Sequence, residues 1–187
     1  MGFALSDMTL TSSAFESGGA IPRRHTGEGE DVSPPLAWTG VPEEAGSLIV
    51  ACHDPDAPLV TPEGVYGFVH WVLYNIPASV SQLPEGVSDY TSGINNFDHT
   101  RYGGPMPPNG HGVHYYYFLL LALRGEEPFD APQPLLDAIA EKRHGGLADR
   151  KLRVALVCYS YGLASYLRRE LLVGQRSRQP SFVGTFE

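Results

Sequence analysis

Phe68-Val69-His70-Trp71-Val72-Leu73-Tyr74-Asn75-Ile76-Pro77 is the stretch that decides the fold class. Aromatic and β-branched side chains crowd it, which is the composition of a half-buried or buried strand. Pro77 ends it, because proline has no N–H to give to a ladder. Upstream, Ser47 to Cys52 is a compact apolar run that reads as a second buried strand. It stops at His53-Asp54-Pro55-Asp56-Ala57-Pro58, where each proline fixes its own φ and pushes the residue before it into an extended conformation. Downstream, His114 to Leu123 reads as a third strand. Between the second and third of these, residues 78–113 show little periodicity, and an irregular stretch of that length inside a domain is usually functional or disordered.

Further out, Ser33-Pro34-Pro35-Leu36-Ala37-Trp38 reads as an extended entry to a core tryptophan. Pro134 to His144 has helical spacing, with Gly145-Gly146 as its stop. Leu152, Val154, Leu156 and Cys158 alternate as in a last strand, and Leu163, Tyr166, Leu167, Leu171 and Leu172 form the stripe of an amphipathic helix. With 21 glycines and 16 prolines in 187 residues, the chain has many turns between short elements. We expect a mainly β protein, one domain over 1–187, with C-terminal helices at its periphery.

The formal net charge is −8, which argues against nucleic acid as the main partner, because phosphate backbones need a basic face. Cys52 and Cys158 each end an apolar run, so two buried, reduced thiols are expected. The longest apolar run, Tyr115 to Leu123, is too short to span a bilayer. No basic, apolar leader stands at Met1–Asp7, and the match of Gly2 and Ser6 to a myristoylation pattern is too short to carry weight. A cytoplasmic protein without integral membrane association is expected.

Three polar clusters sit beside the three best strands: His53-Asp54-Pro55-Asp56, then His70 within an apolar run, then Pro107 to Tyr117 with His111 and His114. Sequential strands are usually neighbours, so the clusters can converge. Plainer readings stand beside this one. Asp54 and Asp56 suit an Asx turn, and a lone histidine in an apolar strand is often a satisfied core residue. His25, His99 and His144 read as surface residues. Tyr115, Tyr116 and Tyr117 alternate in facing, so at least one is plain core or surface. Two aspartates and two histidines are potential zinc ligands, but with no close-spaced ligand pair such as HExxH we expect no metal and no cofactor.

Asp54-Pro55-Asp56-Ala57-Pro58, Phe68 to Pro77, Tyr102-Gly103-Gly104-Pro105-Met106-Pro107-Pro108 and Gly112-Val113-His114-Tyr115-Tyr116 together resemble the motifs of the phosphatidylethanolamine-binding protein superfamily, in order and at its spacing. Pro34 to Trp38 resembles its bacterial, Raf-kinase-inhibitor-like branch. The resemblance implies an antiparallel β-sandwich and a small site for phosphate-like anions. Carried over by motif position, Asp54, His70, Pro108, His114 and Tyr116 would line that site, with Asp56 and Trp71 beside it. It further implies a binding protein for a small anionic or phospholipid headgroup, acting as a regulator of a kinase or protease. The alternative is a cofactor-free acid/base enzyme, a cyclase or isomerase, with Asp54, His70 and His114 as its catalytic candidates. Two departures stand out. Tyr115 occupies a place where many members carry arginine, and residues 146–180 intervene before a family-like ending, with a stripe usable for a homodimer.

Overall fold

The computed structural model describes residues 7–57 and 67–123, together with the backbone of 153–157. All of its strands lie in the compact unit Ser6–Tyr159. The three apolar runs of the sequence form three adjacent strands. β3 (Ser47–Asp54) lies between β4 (Phe68–Pro77) and β7 (Tyr117–Leu123), antiparallel to both. β6 (Thr91–Ser92) extends the sheet on the β4 side and β8 (Arg153–Val157) on the β7 side, giving the order β6-β4-β3-β7-β8. A smaller antiparallel sheet, β1-β2-β5, is built from Thr9–Thr11, Leu36–Thr39 and Gln82–Leu83.

Strand alternation gives the large sheet two buried faces. Leu48, Val50, Cys52, Trp71, Leu73, Phe118 and Leu120 pack with Met8, Leu10, Leu36, Trp38 and Leu83 of the small sheet in one core. Ile49, Ala51, Val72, Tyr74, Leu119 and Leu121 are buried on the other face. Trp38 is core as its sequence context indicates, and its indole N–H donates to the Val80 carbonyl at 2.8 Å. Cys52 is a buried free thiol whose pKa is pushed up by burial and then by Asp54.

The expected mainly antiparallel β fold is therefore present. The irregular stretch 78–113 holds two short strands, β5 and β6, each of two residues. The helices expected at 134–144 and 163–172, Cys158 and His144 lie outside the described residues. His25 departs from expectation. It is only 2% exposed, at the end of a single 3-10 turn (Arg23–His25), and its Nδ1 meets the Val32 carbonyl at 2.9 Å. A short polar stretch between loops carries no periodicity, so its burial had no sequence signal. His99 is half-buried and stacks on Phe97 at 5.5 Å.

Two irregularities interrupt the β3–β4 ladder. Cys52 pairs with Trp71 but His53 with Val69, so β4 carries one extra residue, His70. Leu48 pairs with Ile76 but Val50 with Leu73, and in this second bulge Asn75 takes a left-handed φ of 59°, which asparagine tolerates.

Candidate functional site

The site is a product of topology. β3 runs antiparallel to both neighbours, so its last residue meets the start of β4 and the segment leading into β7. Residues 54, 70 and 114–116, far apart in sequence, are thereby brought to one end of one sheet.

Asp54 ends β3 and its carboxylate is buried. Oδ1 accepts the amides of Asp56 at 2.9 Å and Ala57 at 3.1 Å, which is the Asx turn that the sequence allowed. Oδ2 accepts from Nδ1 of His114 at 2.7 Å, a buried charge-assisted contact. Oδ1 thus serves the turn and Oδ2 the imidazole. Burial first, then the Asp54 charge, pushes the pKa of the Tyr116 phenol up, so it stays protonated. Asp56, exposed on the same turn, accepts the Tyr115 amide through Oδ2 at 2.8 Å. The two aspartates of one turn thus hold His114 by its ring and Tyr115 by its amide.

His70 sits in the bulge. A bulge re-aims a side chain that strict alternation would turn away. The His70 ring stands edge-on to Tyr116 at 5.1 Å, and the His114 ring lies stacked at 6.5 Å from the same tyrosine. Tyr116 is the hinge of the cluster, with an imidazole on either side. His70 Nδ1 meets the Gly103 carbonyl at 2.7 Å. Its pKa is lowered by burial, which outweighs the raising effects of Gly103, Asp54 and Asp31. Among the described residues, Nε2 of His70 and Nε2 of His114 have no hydrogen-bond partner.

The loop beyond β6 holds His70 in place. Asn95 is buried and donates to the carbonyls of His70 at 3.0 Å and Arg101 at 2.8 Å, while its oxygen accepts the Phe97 amide at 3.0 Å. Asn96 pairs with Val69 through both its side-chain oxygen, at 2.6 Å, and its own amide, at 2.9 Å. The open edge of β4 is thus satisfied by a loop where β6 stops. Tyr102 donates to the His25 carbonyl at 2.9 Å, and Asp31 accepts the Gly104 amide. These contacts tie the Gly103-Gly104 segment to the 23–32 loop.

Of the other expected residues, Trp71 is fully buried in the core, edge-on to Tyr102 at 5.6 Å. Pro108 is exposed and opens the turn that returns the His111 amide to its carbonyl at 3.1 Å. Tyr117 is core, and Tyr115 is 53% exposed. His111, which the sequence did not single out for the site, stacks on His114 at 5.8 Å. Asn95 and Phe97 were also missed, their only sequence signal being position in the irregular stretch before the third strand; Gly103 stood within the Tyr102–Pro108 motif but was given no part in the site. Among the described residues no group of three metal-ligating side chains converges, and no helix is long and apolar enough to cross a membrane.

Known proteins place this arrangement. Residues 11–153 match the profile of the family described as phosphatidylethanolamine-binding protein. A UPF0098 protein of Aquifex aeolicus is 42% identical over 125 residues, covering 64% of this chain and 70% of that protein. A UPF0098 protein of Chlamydia trachomatis is 36% identical over 135 residues, covering 71% of this chain and 89% of its own. Among solved structures, a phosphatidylethanolamine-binding protein homologue from C. trachomatis superposes with a TM-score of 0.69 at 31% identity, covering 81% of this chain and 95% of that one. E. coli YbcL, described as a member of the mammalian family, superposes at 0.65 with 27% identity, covering 82% and 99%. With more than half of its length matched to the family profile and its fold shared with these structures, the chain belongs to the phosphatidylethanolamine-binding protein family.

Proposed function

We propose that this protein binds a small oxyanion, free or as the phosphate of a headgroup, at the cluster of Asp54, His70, His114 and Tyr116. The observation that carries this reading is the pair of imidazoles beside Tyr116. Each has its Nδ1 held by an internal acceptor, and each has an Nε2 left for a ligand. Asp54 does not face the anion as a bare charge in this reading. Its oxygens are engaged by two amides and an imidazole, and it serves to orient His114. Asp56 and Pro108 shape the flanking turns, and Trp71 follows His70 into the core.

The role as regulator of a partner protein draws support from the surface around the cluster. The large apolar side chains exposed among the described residues are Phe97 at 43%, Met106 at 59%, Val113 at 80% and Tyr115 at 53%. Phe97 touches the His70 ring and the Tyr115 amide is bound by Asp56, so at least these two border the cluster. A partner covering them would read whether the site is filled.

The test is a crystal soaked with phosphate, sulfate or acetate, paired with binding to Asp54→Ala, His70→Ala and His114→Ala. An anion within hydrogen-bond reach of both Nε2 atoms, lost in the variants, is the expected result. Variants that bind as well as the parent would remove this reading.

A further inference from the structure

Asparagine is a chemically labile side chain. It loses its amide without any enzyme when the next backbone nitrogen closes on its side-chain carbon. That closure needs a following residue with no Cβ in the way, an amide N–H not committed to a hydrogen bond, and backbone with room to turn. The chain has four asparagines: Asn75, Asn95, Asn96 and Asn109.

Three of them fail these conditions. Asn95 is buried, its side chain holds the His70 and Arg101 carbonyls, and the amide after it, that of Asn96, donates to the Val69 carbonyl at 2.9 Å. Asn96 holds the Val69 amide through its side-chain oxygen, and the amide after it, that of Phe97, donates to the Asn95 side-chain oxygen at 3.0 Å. Asn75 donates to the Thr91 hydroxyl at 2.9 Å and precedes Ile76, a buried β-branched residue in the β3–β4 ladder.

Asn109 meets all of them. It is exposed, it precedes Gly110, and both lie in the turn closed by the His111 amide on the Pro108 carbonyl at 3.1 Å. Among the described residues neither the Asn109 side chain nor the Gly110 amide has a hydrogen-bond partner. Gly110 takes a φ of 91°, and a Cβ there or at Gly112 would meet nothing within 4 Å, so the turn has open space to move into.

We propose that Asn109 is a site of spontaneous covalent modification, and that its isoaspartyl product releases His111 from His114. The Gly110 nitrogen gives its proton to solvent hydroxide and bonds to Cγ of Asn109. The Cγ–Nδ2 bond breaks, and Nδ2 takes up a proton and leaves as ammonia. Water then opens the succinimide at either carbonyl. Opening at Cγ restores the main chain and leaves aspartate. Opening at the main-chain carbonyl carbon leaves isoaspartate, whose backbone runs through Cβ and Cγ and is longer by one methylene. The sum is amide plus water giving carboxylate plus ammonium, with no oxidant and no cofactor.

Either product puts a charge where the chain has a neutral amide. The added methylene also falls inside the ring that the His111–Pro108 hydrogen bond closes, so the spacing of that bond is lost. The stack of His111 on His114 at 5.8 Å depends on the same turn, while His114 is held separately by Asp54 on β3. The modification thus acts at the rim of the polar cluster, whatever that cluster binds.

The experiment is incubation of the full chain in mildly alkaline buffer, folded and in urea, followed by peptide mapping by mass spectrometry and labelling with an isoaspartyl methyltransferase. In the folded chain Asn109 should react at least about tenfold faster than any other asparagine. Folding should slow Asn75, Asn95 and Asn96 by at least about tenfold and leave Asn109 within about threefold of its rate in urea. An Asn109 protected by folding as strongly as the other three would overturn the site. Gly110→Ala crowds the attacking nitrogen, and Asn109→Gln must close a larger ring, so both should stay intact through the same incubation. Reaction at 109 in either variant as fast as in the parent contradicts the mechanism. Asn109→Asp adds the charge without the methylene. Proton–proton contacts between the two imidazoles should persist in that variant and vanish in the enriched isoaspartyl protein. Contacts that survive in the isoaspartyl form would overturn the release of His111 and leave the modification standing.

Discussion

At the residue scale, Asp54 joins two jobs in one carboxylate. Asp54→Asn keeps an oxygen for the Asp56 and Ala57 amides but sets an amide N–H₂ against Nδ1–H of His114. His114 should then move its hydrogen to Nε2. The stability cost should be about 1–3 kcal/mol, the cost of disturbing one buried hydrogen bond to a charged group. Asp54→Ala strands two amides and an imidazole together and should cost about 3 kcal/mol or more. Urea denaturation measures both, and imidazole ¹⁵N shifts read the tautomer. An Ala variant as stable as the parent would mean that these hydrogen bonds are not maintained in solution. Asp54 also shows where sequence reading stops. Turn former and member of a convergent polar cluster looked like rival explanations because the sequence shows one residue, while the fold gives each of its oxygens a separate neighbour.

At the element scale, the loop 93–104 and the bulge at His70 depend on each other. Two neighbouring glycines in the loop should behave differently. A Cβ at Gly103 would fall 2.5 Å from the Phe97 ring, a side chain that is 43% exposed. A Cβ at Gly104 would meet backbone, the His25 carbonyl and Thr26 Cα at 2.7 Å, with the Asp31 carboxylate at 2.8 Å. Gly103→Ala should therefore lift Phe97 off His70 with a loss of about 1 kcal/mol or less, whereas Gly104→Ala should cost about 1–3 kcal/mol, as overpacking does. Thermal melts measure the difference, and His70 ring-current shifts report Phe97. Similar losses at the two positions would show that Phe97 is held as firmly as backbone. The long strands were legible because runs such as Leu48–Cys52 and Phe68–Ile76 carry their own hydrophobic pattern. The bulge was not, since an extra residue is defined only by the partner strand. Nor were β1, β5 and β6, whose two or three residues are too few to show a period.

At the scale of the whole molecule, an anion approaching this protein meets a formal net charge of −8. A site built on a basic face loses affinity as salt screens the attraction. Here the long-range field opposes entry, and the Debye length is about 10 Å at 0.1 M salt. Raising ionic strength at fixed pH should leave phosphate affinity unchanged or increase it, and its association rate should rise. A steep loss with salt, measured by calorimetry and stopped flow, would reveal a positive surface that the charge count hides. The meeting of Asp54, His70 and His114 was legible from motif order together with the neighbour rule for strands. The burial of His25 and the bracing by Asn95 were not, because each depends on loops with no period of their own. The atom that sets which ring nitrogen of His70 carries hydrogen is a main-chain oxygen, which no side-chain exchange can delete. Any substitution that leaves the loop's path intact therefore leaves the orientation of that ring's donor and acceptor in place, set by the backbone trace rather than by the letters of the sequence.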